Sequence, residues 1–169
     1  MGKVVVLGIF VADAAFRADR MPVMGETVLG NSFALGPGGK GSNQAVAAGR
    51  LGAEVSFVSA LGADAFAQMA RDLWRQAGVT PVIREIAESY TGAAFIYVDE
   101  ASGDNAIIVS PGAAGLIGPQ DIDRARAEIE GADVFITQLE QPVEAALAGL
   151  QSARAAGVTT ILNLSLIHI

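Results

Sequence analysis

The chain has 169 residues and no cysteine, which rules out a disulfide framework and a thiolate metal site and is compatible with a reducing compartment. Basic residues are scarce, 11 against 18 acidic ones. The resulting charge of -7 argues against a nonspecific binder of nucleic acid or of an anionic membrane, either of which needs a concentrated basic face. A phosphate-bearing ligand is not excluded, because a few backbone amides and one lysine can hold such a group locally. No segment offers the roughly 20 apolar residues of a membrane span. No charged leader precedes the opening strand, and the expected location is the cytoplasm. Repeats, a coiled-coil seam and low-complexity tracts are also missing, which leaves a structural-protein reading without support.

What is present is a composition of 51% hydrophobic and 17% charged residues with 20 glycines, the balance of one α/β domain. The β-branched run 3–7 reads as a buried strand that ends at Gly8. Residues 9–20 alternate only weakly, and 22–31 read as turns and short edge strands. A glycine-dense loop at 36–43 leads into a small-residue helix over 44–51, followed by a strand over 54–59. Asp64 is placed to cap a helix that carries Phe66, Ala70, Leu73 and Ala77 on one face and stops at Gly78. Two strands at 91–99 and 105–110, joined by a loop containing Gly103, interrupt the rhythm as a hairpin. The rhythm resumes with helix 121–129, strand 133–136, helix 142–156 and strand 159–162. Alternation of this kind favours a layered, mainly parallel sheet.

The most informative segment is Gly38-Gly39-Lys40-Gly41-Ser42-Asn43-Gln44. Its glycines let backbone approach a polar ligand, and Lys40 and Asn43 supply donors at the mouth of the helix. A tight turn before a packed helix explains the same residues without a ligand. The segment is not a Walker A loop, since Ala34 and Gly41 stand where glycine and Ser or Thr are required. Gly8-Ile9-Phe10 likewise lacks the second glycine of a dinucleotide fingerprint.

The run GPGGKGSNQAVAAGRLGA at 36–53 resembles the first signature of the ribokinase-like (PfkB) carbohydrate kinase family. The resemblance extends over 3–163 through VVVLG at 4–8, Asp13, PVMGETVLG at 22–30, TGAAFIYVDEASGDNAIIVSPGA at 91–113 and TQLEQPVE at 137–144. It implies an α/β three-layer sandwich with a β lid, incomplete in this chain. Residues 1–163 would form the amino-terminal part of one sugar-kinase domain, with lid segments near 9–35 and 91–110. Asn163 is followed by Leu164 where the family usually continues Asn-Pro-Ala-Pro, so 164–169, with His168, is expected to be a non-native tail.

The same resemblance assigns Asp13, Gly39, Lys40, Asn43 and Glu140 to a sugar site and Asn163 to the neighbourhood of the nucleotide phosphates. Carboxylates and an amide suit a polyol, because each carboxylate accepts several O–H donors. Asp13 can also cap a turn, and Glu140 can be a solvent-facing residue favoured by the following helix dipole. The implied chemistry is transfer of the ATP γ-phosphoryl group, with magnesium and in some members a monovalent cation such as potassium, to a sugar hydroxyl. Ribose is the leading acceptor, giving ribose 5-phosphate; a nucleoside, fructose or keto-deoxy sugar acid is the alternative, as is a noncatalytic sugar-binding role. Ribose kinases of the family carry Asn two positions before the site aspartate, where this chain has Val11, so ribose is less secure than the family. The expected partners are the sugar and ATP, and a second copy through the lid. The catalytic aspartate belongs to a later Gly-Ala-Gly-Asp signature that this sequence does not contain, so no catalytic residue is assigned and the 169-residue chain is expected to be inactive.

Overall fold

The computed structural model describes residues 2–164. In chain order the strands are β1 (Lys3–Leu7), β2 (Val11–Ala18), β3 (Ser32–Gly38), β4 (Glu54–Leu61), β5 (Val79–Glu85), β6 (Thr91–Asp99), β7 (Asn105–Gly112), β8 (Val134–Thr137) and β9 (Thr159–Leu162). The helices are α1 (Lys40–Arg50), α2 (Ala65–Gln76), α3 (Pro119–Arg124), α4 (Arg126–Glu130) and α5 (Val143–Ala155), with a short 3-10 turn at Ala113–Leu116.

Strand alternation builds the central layer. Val5 and Leu7 of β1 point to one face and Val6 to the other, and β4 divides the same way between Val58 and Ala60 on one side and Val55 and Phe57 on the other. The five strands run in the order β5-β4-β1-β8-β9, every neighbouring pair parallel. One face is covered by α1 and α2 through Ala45, Val46, Ala70 and Trp74, the other by α3 to α5 through Ile122, Ile129, Ala145 and Ala153. The result is a three-layer α/β sandwich. Trp74 ties one side together: its ring meets Phe57 edge-on with centroids 5.0 Å apart, and its Nε1 donates to Ser42 Oγ at 2.9 Å.

A second sheet has four strands in the order β3-β2-β6-β7, with β2 and β6 parallel and the outer pairs antiparallel. Its root is fastened at Thr91. Asp64 Oδ1 caps α2 by accepting from the Ala67 amide at 2.8 Å, while Oδ2 accepts from the Thr91 amide at 2.7 Å. Thr91 Oγ1 accepts in turn from the Gly62 amide at 3.0 Å. On the opposite flank Arg84 of β5 donates to both oxygens of the buried Asp121, at 2.7 and 3.0 Å, and to the Leu116 carbonyl at 2.6 Å.

Four local expectations change. The segment 9–20 contains a regular strand, β2, held between β3 and β6 although its own alternation is weak. The glycine-dense segment is no loop: pairing of Val11 with Gly38 and Asp13 with Gly36 carries β3 up to Gly38, and the helix starts at Lys40, not at 44. Strand β5 follows α2 without having been anticipated; Pro81, which lacks an amide hydrogen, is tolerated because β5 is an edge strand. The helix expected over 121–129 is divided at Ala125 into α3 and α4. Among the described residues no helix is long and apolar enough to cross a membrane, which says nothing of β-barrels.

Candidate functional site

Parallel strands align their carboxyl ends, so the loops leaving β1 and β8 emerge on one edge of the sheet, where ligands of open α/β folds bind. The amino terminus of α1 meets that edge closely. A Cβ on Gly8 would stand 2.7 Å from Gly41 Cα and 2.5 Å from Gln138 Oε1, so neither Gly8 nor Gly41 has room for a side chain. The buried Gln138 completes the junction by donating from Nε2 to Gln44 Oε1. Gly39, just before α1, has φ +92°, and a Cβ there would lie 2.4 Å from the Ile9 carbonyl oxygen.

Gly39 supplies no side-chain cap, and Glu140 from the β8–α5 loop takes over that task. Its Oε2 accepts from the Lys40 amide at 2.7 Å and its Oε1 from Lys40 Nζ at 3.2 Å. A carboxylate at a helix amino terminus is favoured by the exposed amides and the dipole.

Asp13 enters from β2, two residues after Val11 and on the same strand face. Its carboxylate lies over Gly38, where a Cβ would approach Oδ2 to 2.2 Å. Among the described residues no donor hydrogen-bonds that half-buried carboxylate. Burial, followed by the negative charge of Glu140, raises the Asp13 pKa above the ordinary 3.8, with Lys40 acting in the opposite sense.

Asp13, Gly39, Lys40, Asn43 and Glu140 line one cavity of about 190 Å³. Its other wall is apolar: Val11, Ala94, Ile96, Ile107 and Val109. Four of these wall residues were missed in the sequence reading. Strand periodicity contained the signal, because Ala94 and Ile96 of β6, and Ile107 and Val109 of β7, are spaced by two and share a face. One polar wall and one apolar wall suit a small polyol that offers hydroxyls on one side and C–H surface on the other.

Residues 1–167 match the family described as pfkB family carbohydrate kinase. The chain belongs to that family. It is 35% identical over 159 residues to the ribokinase of Haemophilus influenzae, an alignment covering 94% of this chain and 52% of that protein. Similarity to the deoxyribokinase of Salmonella typhi is 32% over 161 residues, covering 95% of this chain and 52% of the relative. A solved structure of ribokinase from Giardia lamblia superposes with a TM-score of 0.87 at 31% identity, over 98% of this chain and 51% of that one. The chain thus spans about half the length of the relatives it matches.

Asn163 of this pfkB-family chain is not part of the cavity. It follows β9 on the same carboxyl edge of the sheet, and its amide donates to the Thr137 carbonyl at 2.9 Å. A single amide side chain does not define a nucleotide cradle, so no nucleotide geometry follows from these residues. Among the described residues no group of three or more His, Asp or Glu is placed to hold a metal ion. The tail from 165 to 169, with His168, lies outside the described residues.

Proposed function

We propose that the full-length protein containing this chain transfers the γ-phosphoryl group of ATP to a hydroxyl of a pentose, with D-ribose as acceptor and ribose 5-phosphate as product. The observation that carries this reading is the convergence of Asp13, Asn43 and Glu140, from three distant parts of the chain, on one cavity. Asp13 is a half-buried carboxylate without a donor, and a sugar hydroxyl supplies one. Lys40, held by Glu140, places its ammonium group beside the two carboxylates, and Gly39 lines the same cavity.

In this reading ATP, carried as its magnesium complex, supplies the phosphoryl group, and a monovalent cation such as potassium assists in some members of the family. This chain's own residues bind and orient the acceptor. None of them is assigned to remove the hydroxyl proton, so the 169-residue chain alone is inactive. The four-stranded sheet acts as a lid: Ile96, Ile107 and Val109 face the cavity and would exclude water from a bound sugar. Phe16, Phe33 and Phe95 cluster on its other face, with centroids 4.9 and 5.7 Å apart along the row, and the neighbouring Ile108 is 67% exposed. An apolar patch of this kind suits a second copy of the lid in a homodimer.

The test is magnesium-dependent formation of sugar phosphate by the full-length gene product and by the 169-residue chain in parallel. Ribose phosphorylation by the former alone is expected. Phosphorylation by the shorter chain would overturn its assignment as inactive, and absence of pentose phosphorylation by the longer one would overturn the reading as a whole.

A further inference from the structure

Lys40 and Asn43, three residues apart on the first turn of α1, share the helix face that lines the cavity. Ser42 lies on the opposite side of that turn and is wholly buried. The opening amides of a helix have no intrahelical partner and Gly39 offers no side-chain cap, so this turn is held from outside. Glu140 holds its cavity side through the Lys40 amide. The buried side is held at Ser42, whose amide donates to the Ile9 carbonyl at 3.2 Å and whose Oγ accepts from Trp74 Nε1 at 2.9 Å. Trp74 is itself wholly buried and fixed by two rings, Phe57 at 5.0 Å and Phe10 at 5.9 Å between centroids. Phe10 adjoins the site through its backbone, since a Cβ on Gly39 would stand 3.0 Å from Phe10 Cα. Any large apolar side chain could fill that space. The indole N–H adds direction: it donates and cannot accept, and it is satisfied only while Ser42 Oγ stands where it does.

We propose that Trp74 is a positioning residue for the acceptor: through Ser42, its indole N–H sets the first turn of α1 so that Lys40 and Asn43 meet the sugar. The proposal rests on the pentose-kinase reading and adds to it a residue outside the cavity that governs acceptor affinity. Neither Trp74 nor Ser42 lines the cavity, so loss of their bond reaches the sugar only by displacing the turn that carries Lys40 and Asn43. A displacement of about 1 Å is enough to spoil such contacts.

The experiment measures steady-state kinetics with D-ribose and ATP in the full-length protein, in Trp74→Phe, in Ser42→Ala and in the double variant, with thermal melts to establish folding. Trp74→Phe keeps a ring against Phe10 and Phe57, and Ser42→Ala suits a helix. Each single variant is expected to raise the KM for D-ribose by about threefold to tenfold, the worth of one buried hydrogen bond, while kcat and the KM for ATP stay within about twofold. The double variant should match the single ones instead of multiplying them, because all three lack the same bond. A second readout needs no variant: the indole N–H proton resonance of Trp74, assigned by its contacts with the Phe57 ring, should shift when D-ribose saturates the site. A ribose KM that is unchanged in the folded variants, effects that multiply in the double variant, or an indole resonance indifferent to ribose overturns the positioning role and leaves the kinase reading standing. Failure of the unaltered protein to phosphorylate D-ribose overturns both.

Discussion

Glu140 grips Lys40 twice, taking its backbone amide at 2.7 Å and its side-chain ammonium at 3.2 Å across a separation of 100 residues. One carboxylate therefore caps α1 and fixes the charged group at its first turn. Replacing Glu140 by Gln keeps an acceptor for the amide but removes the charge that holds Nζ. In the full-length protein, Glu140→Gln and Asn43→Ala are each expected to weaken sugar binding by about tenfold or more while nucleotide affinity is retained. Calorimetry with each ligand separately checks this; unchanged sugar affinity in folded variants removes the residues from the site.

The Asp13 carboxyl titrates above the ordinary 3.8 because it is buried and faces Glu140, with Lys40 opposing. An acid with a raised folded-state pKa takes up protons on folding, so its ionised form works against stability above that raised value. Asp13→Asn is therefore expected to be more stable than the unaltered chain near neutral pH. The difference should shrink as pH falls through the raised value toward 3.8. Sugar affinity of the full-length protein is expected to fall with the pH as the accepting carboxylate is lost. Urea midpoints of both proteins across this range, with parallel binding titrations, measure the two slopes.

Asp64 joins the two sheets' architecture at one carboxylate. Burial works to raise its pKa, but hydrogen bonds from Thr91 and Ala67 outweigh it and hold the group below 3.8. Its stabilisation is present above 3.8 and is lost as pH falls through the lowered value. Asp64→Ala removes a helix cap and strands the Thr91 amide, an expected loss of about 1–3 kcal/mol. Denaturant unfolding should show that loss near neutral pH and a narrowing gap in acid.

Asp121 is 3% exposed and depends on Arg84, which donates to both its oxygens. Arg84→Leu leaves a buried charge without its partner and should destabilise by about 3–5 kcal/mol. Replacing both residues by Leu should restore part of that loss, and a double-mutant cycle by urea unfolding measures how much.

The hairpin β6–β7 should become protected when sugar binds, if the four-stranded sheet closes over the cavity. Hydrogen exchange of the full-length protein with and without sugar reports this at residues 91–110, and no added protection there argues against closure.

Much of the layered fold was legible because β1, β4, β8 and α2 carry their own periodicity, and Asp64 carries its own cap signal. Strand β2 was obscured because its run of small residues, Ala12, Ala14 and Ala15, is a strand only through partners on both sides. Strand β5 was hidden by Pro81, an ordinary breaker that becomes harmless at an edge. The polar wall of the cavity was legible by resemblance. The apolar wall was legible only as a shared strand face, through the two-residue spacing of Ala94 with Ile96 and Ile107 with Val109, because that spacing does not distinguish a ligand-facing face from a core one.

The bond between Lys40 and Glu140 closes a loop of 100 residues, and both residues line the cavity. Contacts so distant in the chain are entropically demanding and belong to high-contact-order, slowly organised topology. Occupation of the cavity thus reports that β1, α1 and β8 have found their final arrangement. A sugar that binds only the folded chain draws the folding equilibrium toward itself, raising the melting temperature in proportion to the logarithm of its concentration. Any small molecule that fits the cavity is by the same linkage a chaperone for the chain that forms it.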